Sequence, residues 1–153
     1  MRAPSIISLG VMAVAIGFIA GVFGQDTPKK GDAMNEEMKQ LEGTWRAVAV
    51  EFGGKEMDRR DVSDYRLVFS GTECSIVSGK RVTRCTFTIA PSKSPKWIDV
   101  TPTGDKVTWP GIYELKDGTL KVFLDTTGGK RATGFQTKDG TQEVIRTYER
   151  VEP

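Results

Sequence analysis

From Thr44 to Arg150, apolar and polar residues alternate in short runs rich in β-branched and aromatic side chains. Gly, Asp or Pro interrupts the pattern about every ten residues, the spacing of strands joined by tight turns. It predicts strands over Thr44–Phe52, Arg66–Ser70, Glu73–Ser78, Arg81–Ile89, Lys96–Thr101, Trp109–Lys116, Thr119–Asp125, Thr133–Thr137 and Thr141–Arg150. Lys55–Ser63 is charged and aperiodic. No long helical segment separates the strands, which excludes a parallel sheet with crossover helices. The expectation is an all-β, antiparallel up-and-down barrel of about eight strands.

Turn chemistry sets the registers. Asp117-Gly118 suits a two-residue type I′ turn, placing Leu115 opposite Leu120 and Tyr113 opposite Val122 on one apolar face, with Glu114 opposite Lys121 on the other. Asp139-Gly140 similarly sets Phe135 opposite Val144 and Thr133 opposite Arg146. Gly79-Lys80, with Gly first, suits type II′ and brings Cys74 directly across from Cys85. In an exported protein that facing pair predicts a Cys74–Cys85 disulfide. The competing reading is two reduced thiols packed in the core, because a hydrogen-bonded cross-strand pair strains the bridge.

Ahead of the strands, Met34, Met38 and Leu41 fall on one helical face of a short helix capped by Asp32, a face suited to cover one end of the barrel. Residues 25–37 form a polar lead-in and the start of that helix, and the domain proper runs over residues 38–153. Residues 1–24 begin with Arg2, continue as a charge-free apolar run from Ile6 to Phe23, and end on Val22-Phe23-Gly24. This reads as a signal peptide cleaved after Gly24, or as an N-terminal anchor if uncleaved. Either way the expected location is the periplasm, cell envelope or exterior, with membrane contact only through that segment.

Composition then narrows the chemistry. The 22 basic and 20 acidic side chains are interspersed, so nothing points to nucleic acid or an anionic membrane surface as a partner. The chain has no histidine, hence neither the commonest general base nor the commonest metal ligand. No metal-ligand spacing, nucleophile elbow or phosphate-cradling loop is present, and no cofactor is expected.

Four segments in order carry a resemblance: Leu41-Glu42-Gly43-Thr44-Trp45, Leu67-Val68-Phe69-Ser70-Gly71, Ser94-Pro95-Lys96-Trp97-Ile98-Asp99 and Gly111-Ile112-Tyr113-Glu114-Leu115. Together they resemble the lipocalin-like conserved hypothetical domain of the planctomycete type, over about Met38 to Arg150. The resemblance implies a small exported lipocalin-like barrel with no established catalytic residues. Two positions depart from the pattern: Val122-Phe123 stands where a Cys is typical, and Arg131-Ala132 where Arg-Pro is typical. The resemblance also implies that Trp45, following Gly43, packs at the closed end under an Arg of the last strand, either Arg146 or Arg150.

On that last strand Val144, Arg146, Tyr148 and Arg150 share one face, and pairing with Phe135 turns it inward. An inward Arg146 with Tyr148, and Tyr113 nearby, would hold a carboxylate or phosphate head group. The leading function is therefore non-catalytic binding of a small apolar or amphipathic ligand in the barrel. The alternative is a cell-envelope interaction module whose barrel is filled by its own side chains. Inward Phe87, Phe123 and Tyr113 would favour filling; small Ala47, Ala49 and Gly134 would favour a cavity. An enzyme using Asp99 and Tyr113 ranks third, because Asp99 is expected to accept backbone hydrogen bonds at a turn before Pro102 and Tyr113 to pack with its hydroxyl at the rim.

Overall fold

The computed structural model describes residues 30–152, so the expected leader and most of the polar lead-in lie outside the described residues. Helix α1 (Lys30–Leu41) precedes nine strands: β1 (Gly43–Phe52), β2 (Lys55–Glu56), β3 (Tyr65–Ser70), β4 (Glu73–Ser78), β5 (Arg81–Ala90), β6 (Lys96–Pro102), β7 (Trp109–Lys116), β8 (Thr119–Asp125) and β9 (Glu143–Arg150). A one-turn helix α2 (Arg59–Val62) follows β2, so the aperiodic segment folds into a two-residue hairpin strand and a short helix. Successive strands from β3 to β9 pair antiparallel, and β9 returns to β1, closing an eight-stranded barrel with β2 appended at one rim. Helix α1 begins at Lys30, so Asp32 lies inside its first turn and is not the cap.

The turns hold the registers the sequence dictates. Asp117 and Gly118 both have positive φ, the type I′ signature, and Leu115 faces Leu120 while Glu114 faces Lys121. Gly79 has φ +59° with no positive φ at Lys80, and Cys74 faces Cys85. β1 meets β3 along Gly43–Arg46 and β2 at Glu51–Phe52, while β9 follows it from Trp45 to Phe52. A register shift between Ala47 and Ala49 bends the strand there, as extra-residue bulges do. Gly111 answers a close approach: a Cβ there would stand 2.2 Å from the Phe123 carbonyl oxygen of β8. That contact explains glycine at the head of Gly-Ile-Tyr-Glu-Leu.

Alternate residues fill the interior. Leu67, Phe69, Ile76, Phe87, Ile98, Val100, Leu120, Val122 and Tyr148 are all buried in one cluster. Phe69 and Phe87 meet edge to face across the centre, with ring centroids 4.7 Å apart. The void left among these side chains is about 10 Å³, room for roughly one water. Cys74 and Cys85 are both buried and both free thiols, so the expected disulfide is not formed. Phe87 donates to the Thr72 carbonyl, and ladder alternation then makes Cys74–Cys85 a hydrogen-bonded pair.

The closed end is built on Trp45, which is fully buried. Its indole Nε1 donates to the Leu41 carbonyl at the end of α1, at 2.8 Å. Arg150 lies over the indole at 4.4 Å and donates to the carbonyls of Glu42, at 2.6 Å, and Gln40. One cation thus satisfies carbonyls that the helix terminus leaves open. Gly43 has φ +109°, and a Cβ there would press on the Arg150 guanidinium at 3.2 Å. Met34, Met38 and Leu41 turn toward the core, so α1 covers this end of the barrel.

A second, smaller cluster lies outside the barrel: Ile112, Phe123 and Ile145 are buried beneath Ala132 and Phe135 of the β8–β9 connection. This connection corrects the expected strand at Thr133–Thr137, which is irregular and makes no ladder with β9. Phe135 therefore does not pair with Val144, nor Thr133 with Arg146. Phe123 faces outward under this cover, Ala49 sits at the β1 bulge, and Gly134 lies in the loop, so none of the three shapes the interior. Val144, Arg146 and Tyr148 do face the interior, because the loop covers Ile145 on the opposite face of β9.

Removing the closed-end anchor should be costly. Trp45→Ala is expected to lower unfolding free energy by about 3–5 kcal/mol, and Arg150→Met by less, read from urea unfolding midpoints at constant slope. A Trp45→Ala variant of unchanged stability would contradict the anchor role.

Candidate functional site

At the end opposite α1, the barrel mouth holds an open hollow of about 510 Å³, within the size range of small-molecule sites. Val50, Phe52, Met57, Tyr65 and Val144 supply apolar walls, and Lys55 and Glu56 stand at the rim. Arg146 forms part of the floor and also borders the small internal void. Register explains this depth. Arg146 lies between Val50 and Val122, one layer below the rim pair Phe52 and Val144 and one layer above Tyr148.

The environment of Arg146 is incomplete. Its Nε is buried and makes no hydrogen bond, and among the described residues no carboxylate lies within ion-pair distance. Its guanidinium rests against the Tyr65 ring, 5.7 Å from the centroid. A cation–π contact offsets part of the desolvation of a guanidinium but satisfies none of its N–H donors. Below it, burial pushes the Tyr148 hydroxyl up, while the Arg146 cation pulls the other way.

Tyr113 stands elsewhere. Its position opposite Lys96 faces the interior near the α1 end, and its hydroxyl is buried and unpartnered, not at a rim. Glu37 of α1 accepts from Lys96 Nζ at 2.5 Å, and Lys96 lies 5.7 Å from the Tyr113 ring. Burial, reinforced by the Glu37 carboxylate, drives the Tyr113 hydroxyl well above its usual value. Tyr113 lines neither the mouth hollow nor the small void that Arg146 borders, although register sets it two strands from Arg146 through Val122.

Asp99 points to the outer surface, accepting from Arg131 at 2.6 Å. Arg131 also donates to the carbonyls of Gly111, at 2.5 Å, and Ile98, at 3.2 Å, and lies over the Trp97 ring at 4.5 Å. Asp99 thus anchors the β8–β9 loop, in place of the expected backbone bonds at a turn. The loop's other end is held by Thr137, which bonds to the Glu51 carboxylate and accepts from the Gly54 amide at 2.8 Å. Asp99 and Tyr113 lie on opposite faces of the sheet, which removes the geometric basis for an acid/base couple. A further hollow of about 560 Å³ is enclosed by the loop itself, lined by Thr133, Gln136 and Lys138 among others. Of the cations that line it, Lys130, Arg131 and Lys138, Arg131 is already paired with Asp99.

No group of three or more metal-ligating side chains is found among the described residues. The hydrogen bond between the two facing thiols, with burial, pushes the Cys74 thiol up, and the same bond lowers that of Cys85. Among the described residues no helix is long and apolar enough to cross a membrane. Comparison with known proteins returns no family model, no curated protein and no solved structure that matches the chain.

The hollow at Met57 and Tyr65 was not legible beforehand. The β1–β2 hairpin that walls it occupies the charged segment with no period, and only the isolated Met57 and Tyr65 hinted at burial.

Two outcomes follow. Arg146→Met should leave stability unchanged or raise it by about 1 kcal/mol, because it removes a desolvated cation without a partner. Thermal and urea unfolding check this, and a loss of several kcal/mol would mean that Arg146 is structurally paired. Tyr113 has a folded-state pKa above its unfolded value of 10.0, so its contribution is full below pH 10 and is lost as pH rises beyond it. Tyr113→Phe should therefore flatten the fall of unfolding free energy above pH 10 in an alkaline titration.

Proposed function

We propose that this protein is a non-catalytic carrier or sensor that binds a small, partly apolar anion at the mouth of its barrel. The observation that carries this reading is Arg146, a half-buried cation that has no carboxylate partner among the described residues and whose buried Nε finds no acceptor, on the floor of an apolar hollow of about 510 Å³. A guanidinium fork matches carboxylate and phosphate oxygens, and the walls of Val50, Phe52 and Met57 would take an apolar body. Tyr148 supports Arg146 from below; Tyr113 does not line the hollow and is left out of the proposed site. The filled interior supports a ligand seated at the mouth and not deep within the barrel.

The four sequence motifs support membership of the planctomycete-type lipocalin-like domain family, and the apolar N-terminal run supports export to the periplasm, envelope or exterior. A second reading draws on the same filled interior: an envelope interaction module that acts through its outer surface.

Native mass spectrometry of the full chain, expressed with its leader, exported and purified without detergent, separates the two readings. The binding reading expects a small adduct that leaves on denaturation and is absent from Arg146→Met. A clean apo mass that stays unchanged when small anions are added would favour the surface module.

A further inference from the structure

Resting on the mouth-site reading, we propose that its ligand is a compact aromatic monocarboxylate. Charge sets the valence. Lys55 and Glu56 line the same rim and offset one another, which leaves Arg146 as the net positive group of the hollow. A monoanion balances that charge, whereas a phosphate dianion would carry an uncompensated negative charge past the Glu56 carboxylate. The planar fork of Arg146 meets the two oxygens of a carboxylate side by side.

Volume sets the length. Beneath Arg146 only about 10 Å³ is free, so an alkyl tail has no channel leading into the barrel. The body of the ligand must fit in the hollow above the guanidinium. A chain longer than the hollow would project into water and gain nothing from its outer methylenes.

The lining sets the shape. Phe52 is 44 % exposed at the rim, a large ring left open to solvent while Val50 and Val144 of the same hollow are buried. Met57 is half-buried beside it in the same hollow, and the Tyr65 ring already lies against Arg146. Two aromatic rings and a thioether form walls that favour a flat ring, through offset or edge contacts and sulfur–ring contact. A ring bound there would cover Phe52 while its carboxylate meets Arg146.

The test is calorimetric titration of the exported full chain with four probes: 3-phenylpropionate, decanoate, 3-phenylpropionamide and inorganic phosphate. The expected result is that 3-phenylpropionate binds about tenfold or more tightly than decanoate, with no heat from the amide or phosphate. Phe52→Ala should weaken 3-phenylpropionate about tenfold without lowering the melting temperature, and Arg146→Met should abolish its binding. Decanoate or phosphate binding as tightly as 3-phenylpropionate, and still lost in Arg146→Met, would overturn the aromatic assignment and leave the mouth site standing. Amide binding equal to that of the acid would overturn the role of charge. No Arg146-dependent binding of any probe would end both this assignment and the mouth-site reading.

Discussion

Closure of β1 against both β3 and β9 is the constraint on which the rest of the molecule depends. Eight strands fix a cross-section just wide enough for side chains to meet in the middle. Once Phe69, Phe87, Tyr113 and Tyr148 point inward, the interior is occupied and about 10 Å³ remains. The fold must therefore place any binding function at an end or on the outer wall. One end is covered by α1 and locked through Trp45, and the outer wall of β7–β9 is covered by the β8–β9 loop. The mouth beside β2 is the end left open.

Two arginines on the same face of β9, four residues apart, show how the ends differ. Arg150 has an indole beneath it and carbonyls of the α1 terminus as acceptors for both of its terminal nitrogens. Arg146 has the Tyr65 ring and a buried Nε with no acceptor. Burying a guanidinium nitrogen without an acceptor opposes folding.

Much of the barrel was legible because its turns are short and chemically explicit. Asp117-Gly118 and Gly79-Lys80 each fix a hairpin to the residue, and one residue of slip would exchange inner and outer faces. The β8–β9 connection was illegible for the converse reason. Phe135 between polar neighbours fits a strand facing inward equally well as a loop residue capping an outer face, and only tertiary packing on Ile112, Phe123 and Ile145 decides. The anchor of that loop, Arg131 on Asp99, joins residues 32 apart with no local pattern to announce the pair. The inward face of β9 was reached in the sequence through a false Phe135 pairing, and Arg146 itself was visible as a candidate. Its lack of a partner was not, since that depends on which carboxylates the fold brings near.

The account stands or falls on the state of the Arg146 guanidinium. The direct measurement is heteronuclear NMR of the arginine Nε–Hε resonances in the full chain, with Arg146 assigned by its disappearance in Arg146→Met. The account predicts a resonance that shows no hydrogen-bond coupling to an internal acceptor and shifts on addition of 3-phenylpropionate, while the Arg150 resonance stays in place. An Arg146 resonance already coupled to an acceptor within the protein, and unmoved by the acid, would contradict it.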